Sequence, residues 1–354
     1  MSNVVLKNSK VINNTGSNGG DISQFKPASR SPSGVFPMAE PEVLVNGDTR
    51  YRKLHWHYDV DATGKFMITP YASVNFPSVG GDHYYLIDAT DVYTQGDIVG
   101  TERKYGAGLL STAITAGDTT FNITVADATL NTFQSGDVVK IQHILWDDIN
   151  KVWGAVLTTT IEVQSVAVSG NTLTITCVNP ITDAFVNLSN GEFSRVDSND
   201  FVIEAVAAFS LLPFGDVNPA TSEREVYCKA TASSVTSAGG SFDETQVLCN
   251  ARSTVDQVIT LEFTSGSAFT ATGNTIGAMG TGSILASFEP VNPDYSLPYL
   301  IIPPDAFSGT FTAGDTIDVT VKGAYVSFFS AQVIPPATDP YSNNLVTHVF
   351  YGGG

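Results

Sequence analysis

The sequence predicts an all-β protein, a multi-domain combination of β-sandwich and small β-barrel with an extended N-terminal arm. Three observations carry this. Apolar residues alternate with polar ones at a period of two in most apolar runs. Glycine, proline, asparagine and aspartate punctuate those runs at intervals of roughly ten residues. No long amphipathic helical period occurs in the 354 residues.

Composition agrees. Apolar residues make up 42%, enough for real cores, while charged residues make up only 15%, well under the usual quarter. Threonine, serine, asparagine and glycine supply the polarity instead, which suits turn-rich sheets with uncharged faces. The net charge of −18 repels phosphate backbones, so nucleic acid is excluded as the main partner. The basic spots Arg50-Tyr51-Arg52-Lys53 and Glu102-Arg103-Lys104 read as solvated strand ends. Three widely spaced cysteines, Cys177, Cys228 and Cys249, make neither a disulfide framework nor a zinc motif. Cys228 and Cys249 would meet only if they flank a hairpin, and buried free thiols are expected. The N-terminus has no signal-peptide run and no stretch approaches a membrane span. Synthesis and assembly in a cytoplasm, with no membrane partner, are the expectation.

The segments follow in order. Residues 1–45 are rich in Ser, Asn, Gly and Pro and read as the arm, which would lie on a neighbour's surface or stay unstructured. A first β domain spans 46–108 and continues at 189–221. Just before it Val43 and Val45 already alternate; within it "YRKLHWHYDV" runs to a turn at "DATG", and "KFMITPYASV" and "DHYYLIDATDV" follow. A small β-barrel module, 109–188, interrupts it. There Phe121, Ile123 and Val125 alternate with polar residues, "GDVVKIQHILW" and "KVWGAVLTTTIEVQSVAV" flank "DDIN" as a hairpin, and Leu173, Ile175 and Cys177 share a face. The run "NDFVIEAVAAFSLLPF", 199–214, suits a buried strand or a short helix ended by Pro213. A C-terminal sandwich of about seven strands is expected over 222–354.

One phrase recurs. Gly-Asp occurs with its glycine at 20, 47, 81, 96, 117, 136, 215 and 314, against about three expected from composition even if every acid counted. After 47, 96, 117, 136 and 314 the next residue is Thr, Ile or Val. Glycine supplies a positive φ, aspartate caps the turn, and a β-branched residue starts the strand. Calcium is the alternative use of such carboxylates, but the spacing is irregular and the glycine-rich calcium repeat is missing.

Other constellations give no site. "DVDATG" opens like an EF-hand loop with Asp59, Asp61, Thr63 and Gly64, but Pro70 stands where the bidentate glutamate belongs; a hairpin turn is expected. His55 and His57 share a strand face, as a metal pair would, with His83 as a third ligand; no spacing motif supports this and a structural role is expected. "GSFDETQ" and Trp56, Trp146 and Trp153 would suit sugar stacking, although hairpin packing of Trp146 against Trp153 accounts for two of them. Nucleophile elbow, phosphate loop, His-Glu-x-x-His and Cys-x-x-Cys are all missing. No catalytic residue, cofactor or metal ligand is assigned, and a non-enzymatic role is expected.

The phrasing resembles a family of tailed-bacteriophage virion proteins. "GDTRYRKLHWH", 47–57, resembles its "GDT-x-YRK" opening. "FEPVNPDYSLPYLIIPPDAFSGTFTAGDTIDVT", 288–320, resembles its "NP…PY…I…GTF-x-AGDT" signature, and "AQVIPPATDPYSNNLVTHVF", 331–350, is similar to its closing phrase. The middle module, including "SVAVSGNTLTIT", looks like a β-module of phage structural proteins. The chain departs from the pattern at Ala324–Phe329, where proline and tryptophan are expected, and at Gln332, where a basic residue is. The resemblance implies a virion structural protein acting by assembly, in the tail or baseplate, with capsid decoration as the alternative. Implied partners are other phage structural proteins and copies of itself. Binding of a host-surface glycan at the tail tip, and depolymerisation by a carboxylate pair in a groove, are the readings from other classes.

Overall fold

The computed structural model describes residues 4–11, 19–27, 41–74, 83–89, 94–147, 152–186, 204–336 and 348–353. Strands dominate the described residues and helical turns are few, as the alternating pattern requires. Two sheets and one closed barrel hold most of them.

The first sheet has six strands in the order Gly19–Pro27, Val4–Val11, Asp48–Tyr58, Tyr325–Ile334, His83–Asp88, Lys104–Tyr105. The second has nine. Its path runs Leu212–Pro213, Gly64–Val74, Arg224–Thr236, Thr316–Lys322, Gln257–Phe263, Ala268–Gly273, Gly277–Ser283, with Asp216–Val217 and His348–Gly353 added at the side. Leu54, Leu86 and Phe328 from the first sheet meet Val226, Ile259, Leu261 and Val319 from the second in one core. Phe263 stacks on Phe311 with ring centroids 4.2 Å apart, the geometry aromatic pairs favour.

The barrel closes through Val152–Ser169, Thr172–Cys177, Thr120–Thr124, Ala107–Leu110, Glu204–Ser210 and Val138–Asp147. Phe121, Ile123, Val125, Leu173, Ile175 and Cys177 are all buried inside it, as their alternation predicts. Outside it, Ala207, Phe209 and Leu211 pack against Tyr71 of the second sheet. Leu130 packs against the outer face of the first sheet near Ile87 and Phe329. Arg103 ties the two bodies by donating to Asp137 and to the carbonyls of Asn131 (3.1 Å) and Thr132 (3.3 Å).

The structure departs from the sequence reading in several places. The run 199–214 supplies the barrel's sixth strand, Glu204–Ser210, so closure needs residues outside 109–188. Strands from 46–108 and 222–354 share both sheets: Tyr325–Ile334 lies between Asp48–Tyr58 and His83–Asp88, and Arg224–Thr236 pairs with Gly64–Val74. Residues of both segments meet in one core: Leu54, Ala72 and Leu86 from the first with Val226, Ala324 and Phe328 from the second. Part of the arm is also in this body: Val4–Val11 pairs with Asp48–Tyr58, and buried Lys7 bonds the Tyr295 hydroxyl and lies 3.6 Å from Asp59. Pro41–Asn46 is a short helix, not a strand start; proline suits a first turn, and Gly47, with φ 77°, ends it by donating to Val43 O. The "DATG" segment joins strands of different sheets and is a corner, not a hairpin. Arg52 and Lys53 are buried, each 6% exposed, because their strand is central. The Lys53 ammonium lies 5.9 Å from the Phe329 ring.

Three Gly-Asp turns share one construction. The aspartate N–H donates back to the carbonyl three residues earlier, and its carboxylate accepts that residue's N–H. The pairs are Thr115–Asp118 (2.7 Å), Gln134–Asp137 (2.6 Å) and Thr312–Asp315 (2.8 Å). The intervening Gly117, Gly136 and Gly314 have φ of 100°, 86° and 93°. Thr94 and Asp97 make the same reciprocal bonds around a short 3-10 turn, but Gly96 lies inside that turn without the positive φ expected of it. In these turns the aspartate serves shape.

Candidate functional site

A recess lies where the sheets part. The strand His83–Asp88 pairs with Tyr325–Ile334 only from Phe328 onward, and the Ala89 N–H reaches Ser327 O at 3.3 Å, so among the described residues Tyr325 and Val326 form an open edge. Opposite stands the corner Pro213–Asp216 with Arg224–Tyr227. Between them is a cleft of about 680 Å³, within the usual range for ligand sites. Phe214, Val226 and Val326 supply apolar wall, and His55, Lys53, Asp256 and Lys322 line its sides. A second recess of about 390 Å³ adjoins it and shares Asp216, Glu225 and Tyr227.

Local sequence fixes this corner. Gly215 has φ 81°, and a Cβ there would stand 2.5 Å from the Glu225 carbonyl oxygen, so only glycine allows so close an approach. Its carbonyl accepts from Arg224 at 2.9 Å. Asp216 lies directly opposite Glu225 in register. Asp216 accepts from Lys322 Nζ and from the Tyr227 hydroxyl, both at 2.9 Å; these bonds, Lys322 first, hold its carboxyl below the usual range. Glu225 is buried and accepts from Asn218 Nδ2 at 2.9 Å. Asp256 accepts the Gly323 N–H at 2.6 Å, and its own N–H donates to the Tyr325 hydroxyl at 3.0 Å. The polar groups of the groove are thus oriented by the fold.

His55 Nδ1 lies 2.7 Å from Ser327 Oγ, directly across the register. Burial, and then the Lys53 charge, pushes the His55 imidazole well below its ordinary value. His57 Nε2 donates to Ala251 O at 3.0 Å, and its pKa is lowered to about 4, chiefly by burial. Both rings pack edge-on against Tyr325. His83 stands opposite Val333, whereas His55 stands opposite Ser327, so the strand separates His83 from the pair. Among the described residues no cluster of three or more His, Cys, Asp or Glu is placed to hold a metal ion.

The other singled-out residues fall elsewhere. Arg252 donates to Asp59 at 2.8 Å, and Asn250 Nδ2 to Asp61 at 2.6 Å, so these carboxylates tie the corner to a neighbouring loop. Trp56 is half-buried and stacks on Phe328, ring centroids 6.4 Å apart. Trp146 and Trp153 face each other in register. Asp243 of "GSFDETQ" caps a turn by accepting the Thr245 N–H at 3.0 Å. The three cysteines are buried free thiols, and burial raises Cys249 to about 12 with Cys228 adding to the shift. The groove residues carry no motif: they come from 53, 55, 88–89, 213–219, 224–229, 256, 275 and 322–327, and the Gly-Asp pair at 215 was the one signal in the sequence.

Comparison of the chain with protein-family models, curated proteins and solved structures finds no match.

Proposed function

We propose that this chain is a structural protein of a tailed-bacteriophage virion, acting by assembly in the tail or baseplate. The reading rests on the sequence phrases at 47–57, 288–320 and 331–350. The observation that supports it best is the outward face of the nine-stranded sheet. Register lines up Thr236, Thr316, Glu262 and Thr270 in one row, and Ser234, Asp318, Thr260 and Thr272 in the next. Two charges in eight positions make this face far less costly to desolvate than an ordinary charged surface. The same low charge suits contact with neighbouring structural proteins or with copies of the chain, and the acidic excess keeps free subunits apart before assembly.

The test is immunogold electron microscopy of particles purified from cells that encode the chain. Label on the tail or baseplate supports the reading. Label spread over the head replaces it with capsid decoration. Absence from intact and disrupted particles alike overturns it.

A further inference from the structure

We propose that the groove formed by the two adjoining recesses binds an uncharged oligosaccharide. The inference goes beyond an assembly role and does not depend on where the protein sits in a particle.

Shape is the first ground. The recesses of about 680 and 390 Å³ share Asp216, Glu225 and Tyr227 as a common wall. A ligand of more than one ring is needed to occupy both. Charge is the second. Asp88, Asp216, Glu225 and Asp256 are matched by Lys53, Arg224, Lys229 and Lys322. In a chain of net charge −18 this groove is locally balanced. It offers no surplus of either sign to a phosphate, a polyanion or a cation. It offers fixed carboxylate acceptors and cationic donors side by side, which is what hydroxyl groups, each both donor and acceptor, require.

The third ground is the apolar complement. Tyr227 and Tyr325 are half-buried at the groove, where Lys229 Nζ lies 3.7 Å from the Tyr227 ring centroid, and the buried Phe214, Val226 and Val326 line it. Sugar rings present C–H faces that pack on such surfaces while their rims bond polar groups. The polar groups are also held in place before any ligand arrives. Asp216 is fixed by Lys322 and Tyr227 at 2.9 Å each, and Asp256 by Gly323 N–H at 2.6 Å. Little conformational entropy remains to be lost on binding.

Saturation-transfer difference NMR on the full chain tests this, with maltohexaose, cellohexaose and N-acetylchitohexaose as probes at about 5 mM, a concentration that reports millimolar dissociation constants. Transfer to the ring protons of at least one hexasaccharide is expected. Tyr227→Ala should weaken that binding about tenfold or more. Val217→Trp, at an exposed position lining the second recess, should also weaken it by filling space rather than removing a contact. It serves where Tyr227→Ala does not fold. No transfer to any of the three probes, or equal transfer to wild type and both folded variants, overturns the proposal.

Discussion

Replacing Gly215 by alanine should cost much more stability than the same change at Gly117. Both glycines precede an aspartate, and both hold left-handed backbone, φ 81° and 100°. That conformation costs an alanine about 1–2 kcal/mol, partly offset by about 0.4–1 kcal/mol because alanine restricts the unfolded chain. At Gly117 nothing lies within 4 Å of an added Cβ, so the net loss should be about 1 kcal/mol. At Gly215 the Cβ would stand 2.5 Å from the Glu225 oxygen and 2.8 Å from its carbonyl carbon. Carbon–carbon contact needs about 3.5 Å, so the segments must part by roughly 0.7 Å. That loosens the Arg224–Gly215 bond and the pairing of Asp216 with Glu225, at about 1 kcal/mol per bond. The total comes to about 3–4 kcal/mol. Urea denaturation measures both losses, and hydrogen-exchange mass spectrometry should place the Gly215 effect at 224–227. Equal losses would refute the steric argument. A Gly117 loss that calcium reverses would refute the reading of Gly-Asp as a shape device.

Three further outcomes are expected. Arg103→Ala leaves Asp137 buried, its carboxyl already raised by burial, and should cost about 2–4 kcal/mol. Arg103→Lys should restore only part of this because the fork to two carbonyls is lost; full recovery in thermal unfolding would contradict the assignment. His57 has a folded pKa of about 4 against 6.5 unfolded, so the unfolded chain takes up its proton first as pH falls. Stability at this site is complete above about pH 6.5 and is lost down to about pH 4, to a total of about 3 kcal/mol. His57→Gln should remove that part of the slope; parallel pH curves for variant and wild type would sink the argument. Phe263→Ala opens a cavity beside Phe311 in a fully buried site and should cost about 3–5 kcal/mol; a loss under about 1 kcal/mol in denaturant titration would show that the aromatic cluster does not carry the core.

Local features were legible in the sequence. Phe121, Ile123 and Val125, and Leu173, Ile175 and Cys177, announce their inward faces by alternation, and all are buried. The Gly-Asp phrase announces turns, and Gly47, Gly117, Gly136, Gly215 and Gly314 have the positive φ it requires. The candidate groove was not legible. Asp216, Glu225, Asp256 and Lys322 look like ordinary strand-end charges until the fold gathers them.

By itself the sequence determined the fold class, the positions of most strands and the face each turns inward, because a period of two is a property of neighbouring residues. Only the tertiary structure decided which strands pair. Alternation marks a face as apolar without naming what covers it. The strand Tyr325–Ile334 fits between Asp48–Tyr58 and His83–Asp88 across more than two hundred residues of chain. Such long-range choices rest on side-chain packing summed over whole faces against the slowly growing entropy of loop closure. Neither quantity is written in any short stretch of residues, and the groove exists only where those pairings leave an edge open.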